Sequence, residues 1–338
     1  MERRQVKLAQ VREDKLGKYV EGHTHRYVEM DWREFVREAR GAGDLRISEE
    51  ARSSHPAGDM LMQFERNGVP VALSSAPLDD KLKKQRAARG PHKSCRDHLE
   101  FLREELLDYV EKGFWILLPY RVVKHLKELR LSPMGVVPQW GRRPRIIVDY
   151  SFYGLNNDTI QLTPKEAMQF GRALERILHL IRTANPHFGP VHLGKVDLSD
   201  GFYRLYLSDS SILKLAVTFP QYPGEEQLVA SPLSIPMGWV ESPPAFCVAT
   251  ETVADLANVE KSPCPQTHHW NAYLLRRLAI TGCNGFLSLI FWSVWGKKEE
   301  VLTKPQFIHN SQFIIHNSQF SPQFTIHIVQ FTHNSQFK

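Results

Sequence analysis

The run Lys195-Val-Asp197-Leu-Ser-Asp200-Gly201-Phe202-Tyr203 sets two carboxylates three residues apart, where an apolar stretch gives way to polar residues. A carboxylate at a strand end, beside a turn, can face a cleft. Oxygen donors there suit a hard divalent cation such as Mg2+. Gly201 lets backbone approach a ligand closely, and Phe202 and Tyr203 supply aromatic walls. Asp-x-x-Asp-Gly is equally the sequence of an ordinary turn, so the pattern alone leaves both readings open.

Two further segments carry groups of the same kind. Arg143-Pro-Arg145-Ile-Ile-Val-Asp149-Tyr150 puts guanidinium forks at the tip of an expected hairpin, suited to bidentate contact with phosphate. Leu233-Ser-Ile-Pro-Met237-Gly238-Trp239-Val-Glu-Ser-Pro-Pro-Ala-Phe246 reads as strand, turn and helix. Its Pro-x-Gly brings backbone near a bulky partner, and Trp239 can stack on or wedge against a base. Lysines and arginines cluster in 81–96, with no acid, and in 121–145, against the single acid Glu128. Such clusters fit a phosphate-backbone footprint, and they fit a solvated linker and a surface helix as well.

Recognisable elements surround these residues. Asp97 and Glu100 read as a capping box, followed by Leu99, Leu102, Leu106 and Val110 at helical spacing and by Gly113 as a stop. From Gly135 to Tyr150, apolar Val136-Val137 and Ile146-Ile147-Val148 flank the polar turn 139–143, predicting a β-hairpin with a basic tip. Thr163, Pro164 and Glu166 open a helix that buries Phe170, Leu174, Ile177, Leu178 and Ile181. A strand over 191–196 ends at Asp197, a second over 215–219 alternates at period two, and Ser242-Pro243 starts a helix reaching about Ala257. Residues 1–80 offer a short helix near 31–39 and a strand-like 69–73, with no evident chemistry, and 81–96 reads as a basic linker.

After Asn258 the periodicity fades, and His-Asn-Ser-Gln-Phe recurs at 309–313, 316–320 and 333–337. Such a segment reads as a low-complexity, disordered or aggregation-prone tail over 259–338. The 338 residues are 42% apolar and 24% charged, which excludes a wholly disordered chain, and the net charge of +6 is mildly basic. The longest nearly unbroken apolar run, 285–295, is shorter than the ~20 residues of a bilayer span, so no membrane partner is expected. No secretory leader is read at the N-terminus. The four cysteines lack paired spacing, which points to free thiols in a reducing compartment. Cys264, His268, His269 and Cys283 match no common zinc spacing. Nothing here chooses between nucleus and cytoplasm.

The three segments, in this order and spacing, resemble the fingers and palm of reverse transcriptases of retrotransposons and retroviruses. Leu131-Ser-Pro-Met-Gly-Val-Val-Pro138, Met168-Gln-Phe170 and 219–226 are similar to one group of eukaryotic retroelement polymerases. The resemblance covers 92–258. It implies an α+β class, a partial right-hand polymerase fold with a fingers hairpin, and an incomplete palm sheet with packing helices over 97–258. It also implies RNA-directed DNA synthesis on an RNA or DNA template–primer from deoxynucleoside triphosphates, with two Mg2+ ions clamping the attacking and leaving oxygens. By the same resemblance Asp197 is the first catalytic, metal-binding aspartate. Asp200 and Gly201 cradle the incoming triphosphate, and Phe202 is the aromatic gate under the sugar. Arg145 grips the triphosphate, Met237 and Gly238 line the nucleotide pocket, and Trp239 contacts the template.

The family's adjacent aspartate pair on a later hairpin has no counterpart: after position 246 the only adjacent acids are Glu299-Glu300, which read as a solvated charged turn. One carboxylate is too little charge to hold two dications, and positioning with charge stabilisation supplies nearly all of phosphoryl transfer. The expectation is therefore a truncated or degenerate retroelement copy without turnover. The alternatives are a non-catalytic nucleic-acid-binding remnant and a pseudogene product. No ribonuclease H, integrase or protease module is evident, and no protein partner is named.

Overall fold

The computed structural model describes residues 2–40, 57–164, 182, 192–198, 200–250, 286–287 and 324–330. The expected helix after Thr163 lies outside these residues. The protein is α+β, with small antiparallel sheets, and its chain divides into two compact units. The first comprises Met1–Arg46, Asp59–Thr163 and Phe202–Ser242; the second comprises Ile47–Gly58, Pro164–Gly201 and Pro243–Lys338.

The first unit is built around β1 (Trp115–Pro119), an apolar run buried along its whole length. It pairs antiparallel with β6 (Leu228–Pro232), from Trp115 opposite Pro232 to Pro119 opposite Leu228. Strand β5 (Val217–Thr218) lies on the other edge of β6. Two helices cover this sheet. One is α1 (Glu2–Glu29), which sets Leu16 and the buried His23 against it. The other is α5 (Leu99–Glu111), whose buried Leu102, Leu106 and Val110 repeat at the spacing of one helical face. Gly113, at φ 68°, ends that helix, as its position suggests. The expected capping box does not form. A 3-10 turn, Lys93–His98, feeds directly into α5, so His98 rather than Asp97 stands at the N-cap, without a side-chain bond.

Between α1 and α5 lie α2 (Trp32–Ala39), α3 (Gly58–Asn67) and α4 (Asp80–Arg89). Asp31 caps α2 by accepting from Arg33 N, and Asp79 caps α4 by accepting from Leu82 N at 2.7 Å. The basic run is thus not a linker. Its first half is a capped helix inside the first unit, ended by Gly90 at φ 68°. Val69 and Leu73 make only isolated bridges, to Leu207 and Thr159.

The predicted hairpin forms. Strands β2 (Met134–Gln139) and β3 (Arg142–Val148) pair from Met134 opposite Val148 to Gln139 opposite Arg142, with a bulge between Val137 and Gln139. Met134 and Val136 face the core, with Ile146 and Val148 packed against it. A one-turn helix, α6 (Tyr120–Val123), precedes the hairpin, and another, α7 (Leu155–Asp158), follows it. The expected strand over 215–219 shrinks to β5, because Ile212–Leu215 is a 3-10 turn. All five residues from Leu215 to Phe219 are buried, so the period-two pattern does not mark a solvated face.

In the second unit β4 (His192–Leu198) carries Asp197 one residue before its end. Residues 242–250 form α8, as the Ser242-Pro243 start predicts. Strands β7 (Phe286–Leu287) and β8 (Phe324–Gln330) flank β4, in the order β7-β4-β8. Within the tail read as low-complexity, disordered or aggregation-prone, residues 324–330 form a strand; apart from 286–287 the rest of 259–338 lies outside the described residues. Thr325, Ile326, Ile328 and Val329 are β-branched, and β8 pairs with all seven residues of β4. Among the described residues, no helix is long and apolar enough to cross a membrane.

Candidate functional site

Arg145 lies on β3 opposite Val137, and its Nη2 donates to Met237 Sδ at 3.8 Å. Two of the segments singled out by their residues thus meet, although they are far apart in the chain. The meeting is set by the turn 236–239. Before it, Leu233 O accepts from Leu207 N and Ile235 N donates to Leu205 O, which fixes the approach of the strand. Gly238 then adopts φ +98°, and a Cβ there would sit 2.5 Å from Val148 O. Only glycine meets both conditions, the left-handed backbone and the close pass over β3.

Asn156, on α7, clamps the turn from the other side. Its Nδ2 donates to Gly238 O and its Oδ1 accepts from Val240 N, both at 3.0 Å. Ser242 Oγ closes the loop by donating to Pro236 O at 2.6 Å. Buried Glu241 accepts from Leu162 N and Thr163 N, each at 3.0 Å, and ties the segment after α7 to the same turn. Sequence reasoning missed Asn156 and Glu241. The Gly154-Leu-Asn-Asn-Asp158 stretch signals a turn, but not which distant backbone it will satisfy.

Trp239 corrects an expectation. It is 1% exposed and its Nε1 donates to Thr159 Oγ1 at 3.2 Å. Its ring is core, so stacking on a template base is not open to it. Among the described residues, the exposed tryptophan is Trp140, at the turn of the hairpin, with its side chain entirely in solvent. Met237 is partly exposed beside Arg145. Beneath Met237 a cavity of about 20 Å3 is lined by Trp115, Tyr203, Ile146 and Val148, too small for a ligand.

The arginines of the hairpin have distinct surroundings. Arg143 pairs with Glu105 of α5 at 2.6 Å and lies over the Phe101 ring at 5.2 Å, so it braces the hairpin against that helix. Burial pushes the Glu105 carboxyl up, and the Arg143 guanidinium opposes that shift. At the base of the hairpin, Asp149 Oδ1 accepts from Ser151 N and Phe152 N, and its Oδ2 lies 3.0 Å from His92 Nε2.

Asp200 and Gly201 belong to the second unit, and Phe202 begins a segment of the first. Asp200 takes φ +54°, and a 3-10 turn, Gly201–Arg204, follows. Phe202 is half-buried, while Tyr203 is buried and stacked on Phe114 at 4.6 Å. Asp197 stands in β4 with Phe286 and Thr325 as its register partners. Neither β7 nor β8 carries an acid. Among the described residues, the strands paired with β4 thus bring no second carboxylate opposite Asp197. Among the described residues, no group of three or more His, Cys, Asp and Glu side chains gathers as a metal centre.

No protein-family model matches the chain, and no curated protein matches it.

Proposed function

We propose that residues 97–258 are the fingers and part of the palm of a retroelement reverse transcriptase, in a copy that holds a nucleic-acid template–primer and does not carry out nucleotide transfer. The observation that carries this reading is the seat of the 236–239 turn on the hairpin, with Arg145 and Met237 side by side at 3.8 Å. Both residues are nucleotide contacts by the resemblance, and they arrive from separate segments.

Further features support it. Trp140 offers a bare aromatic face next to Arg142, and base stacking on an aromatic tolerates any sequence. The exposed Lys124, Lys127 and Arg142 supply charge for the phosphate backbone. Within the first unit, Arg145 would take the phosphates of a deoxynucleoside triphosphate, with Met237 beside it. The absence of turnover follows from the sequence, which carries no adjacent aspartate pair after position 246 to join Asp197.

The test combines binding with synthesis. Anisotropy of a labelled DNA primer annealed to an RNA template should report binding by the full chain, steeply weaker as salt rises, and weaker again for Arg145→Gln. Primer extension with Mg2+ and all four deoxynucleoside triphosphates should yield no product. Lack of binding at low salt rejects the reading. Extension that disappears in Asp197→Ala rejects its non-catalytic half.

A further inference from the structure

Between α4 and the turn that carries α7, the first unit holds an open cavity of about 590 Å3. That volume falls in the ~300–1,000 Å3 range of small-ligand sites. Arg86 enters it from α4, Arg130 from the segment before β2, and Tyr153 and Asn157 from the turn. The basic run that supplies Arg86 has no part in the polymerase reading.

Each arginine is held in place without using up its donors. The Arg86 guanidinium lies 4.2 Å over the Tyr153 ring. A stacked guanidinium keeps its N–H groups in its own plane, directed past the ring edge. Among the described residues, Arg86 has no carboxylate partner. Arg130 is 8% exposed, and its Nη2 donates to Ser75 O at 3.1 Å and Ala76 O at 2.7 Å. Its Nη1 makes a long ion pair with Asp158 Oδ2 at 3.9 Å, without a hydrogen bond, which leaves its N–H groups on that side able to donate.

Of the two acids at the cavity, one caps a helix and the other shares its charge between Arg130 and the 74–75 turn. Asp158 accepts from Ser74 Oγ at 2.6 Å, from Ser75 N at 2.8 Å and from Ser75 Oγ. Asp79 caps α4. Burial first, and then the like charge of Arg130, weaken the hold of Arg86 on its proton, with Tyr153 opposing. Two planar cations thus face a common space, where an anion would relieve their repulsion and use their forks.

We infer that this cavity binds the phosphate group of a nucleotide-sized ligand, with the Arg86 and Arg130 guanidiniums as its donors. A free mononucleotide and the 5′-phosphate of a strand end share this chemistry. Neither Arg145 nor the 236–239 turn lines the cavity, so the inference stands apart from the polymerase reading.

Calorimetric titration of the full chain tests it with four probes: a nucleoside 5′-monophosphate, the same nucleoside, and a short oligonucleotide with and without its 5′-phosphate. Saturable one-to-one binding is expected for a phosphorylated probe, at least tenfold tighter than for its unphosphorylated counterpart. Arg86→Gln should weaken it about tenfold, and Lys15→Gln, a surface change paired with Glu111, should leave it unaltered. Binding by the monophosphate identifies a free nucleotide; binding by the phosphorylated oligonucleotide alone identifies a strand end. In the wild-type chain the binding probe should also protect Arg86 from an arginine-specific dicarbonyl reagent, read by mass spectrometry, a measurement independent of any variant's folding. Absence of saturable binding by both phosphorylated probes, indifference to the phosphate, or unprotected Arg86 overturns the inference. Arg145→Gln should keep this binding while weakening template–primer binding, which separates the two outcomes.

Discussion

Gly238 passes so close to Val148 that a Cβ on it would stand 2.5 Å from the Val148 carbonyl oxygen. This contact locks the 236–239 turn to the end of β3 and sets where Met237 lies relative to Arg145. Backbone cannot yield there as a side chain can, because Val148 and Asp149 are held to Met134 and Pro133.

Gly238→Ala should therefore destabilise the first unit by about 2–4 kcal/mol, combining a left-handed backbone with a clash against main chain. Urea unfolding followed by tryptophan fluorescence measures it. Asn156→Ala, which removes two hydrogen bonds to the same turn, should cost less, about 1–3 kcal/mol.

His23 predicts an acid weakness. Its Nδ1 lies 3.2 Å from Leu117 N and 3.3 Å from Leu117 O in the interior, and burial, aided by Arg26, lowers its pKa to about 4 against the pull of the Leu117 carbonyl. The unfolded chain takes up the proton near its ordinary value of 6.5, while the folded chain refuses it until about 4. Stability contributed by neutral His23 is thus full above 6.5 and falls as pH drops toward 4, by about 3 kcal/mol in all. Chemical unfolding across this window should show the slope in the wild-type chain and lose most of it in His23→Gln.

Cys95 should resist thiol reagents. It is 1% exposed, its Sγ donates to Met134 O at 3.2 Å, and burial pushes its pKa up to about 11. The thiolate is the reactive form, so alkylation at pH 8 should leave Cys95 intact in the native chain and modify it in denaturant. Peptide mass spectrometry distinguishes the two.

Trp140→Ala should separate binding from stability. The side chain lies wholly in solvent, so the unfolding free energy should change by no more than about 0.5 kcal/mol. On the proposed function, affinity for single-stranded nucleic acid should fall by about 1–3 kcal/mol, the worth of one stacked base. Trp239→Ala should do the opposite, unfolding the core by about 3–5 kcal/mol. Equal binding by the wild type and Trp140→Ala counts against the hairpin as a nucleic-acid contact.

Local periodicity made the hairpin and α5 legible in the sequence. Val136 and Ile146 alternate about a turn with Gly141, and Leu102, Leu106 and Val110 mark one helical face. Partners remote in the chain were not legible. The charges of 81–96 looked solvated, yet Arg86 and Arg89 lie over Tyr153 and Phe152. Trp239 looked like a surface for bases, and it is inside because Thr159 receives its indole N–H. In α1, Leu16, Tyr19, Val20 and His23 fall on one helical face and pack against β1 and its surroundings, a stripe too short to mark the whole 28-residue helix in the sequence.

The repetitive stretch near the C-terminus has a role that its composition hides. Among the described residues, β7 pairs with Val196 and Asp197 of β4, whereas β8 runs along all seven residues of β4 on the opposite flank. A chain stopped before Phe324 would leave that whole row of amide and carbonyl groups open, an invitation for β4 to recruit a strand from another molecule. What reads as filler thus serves as a guard against self-association.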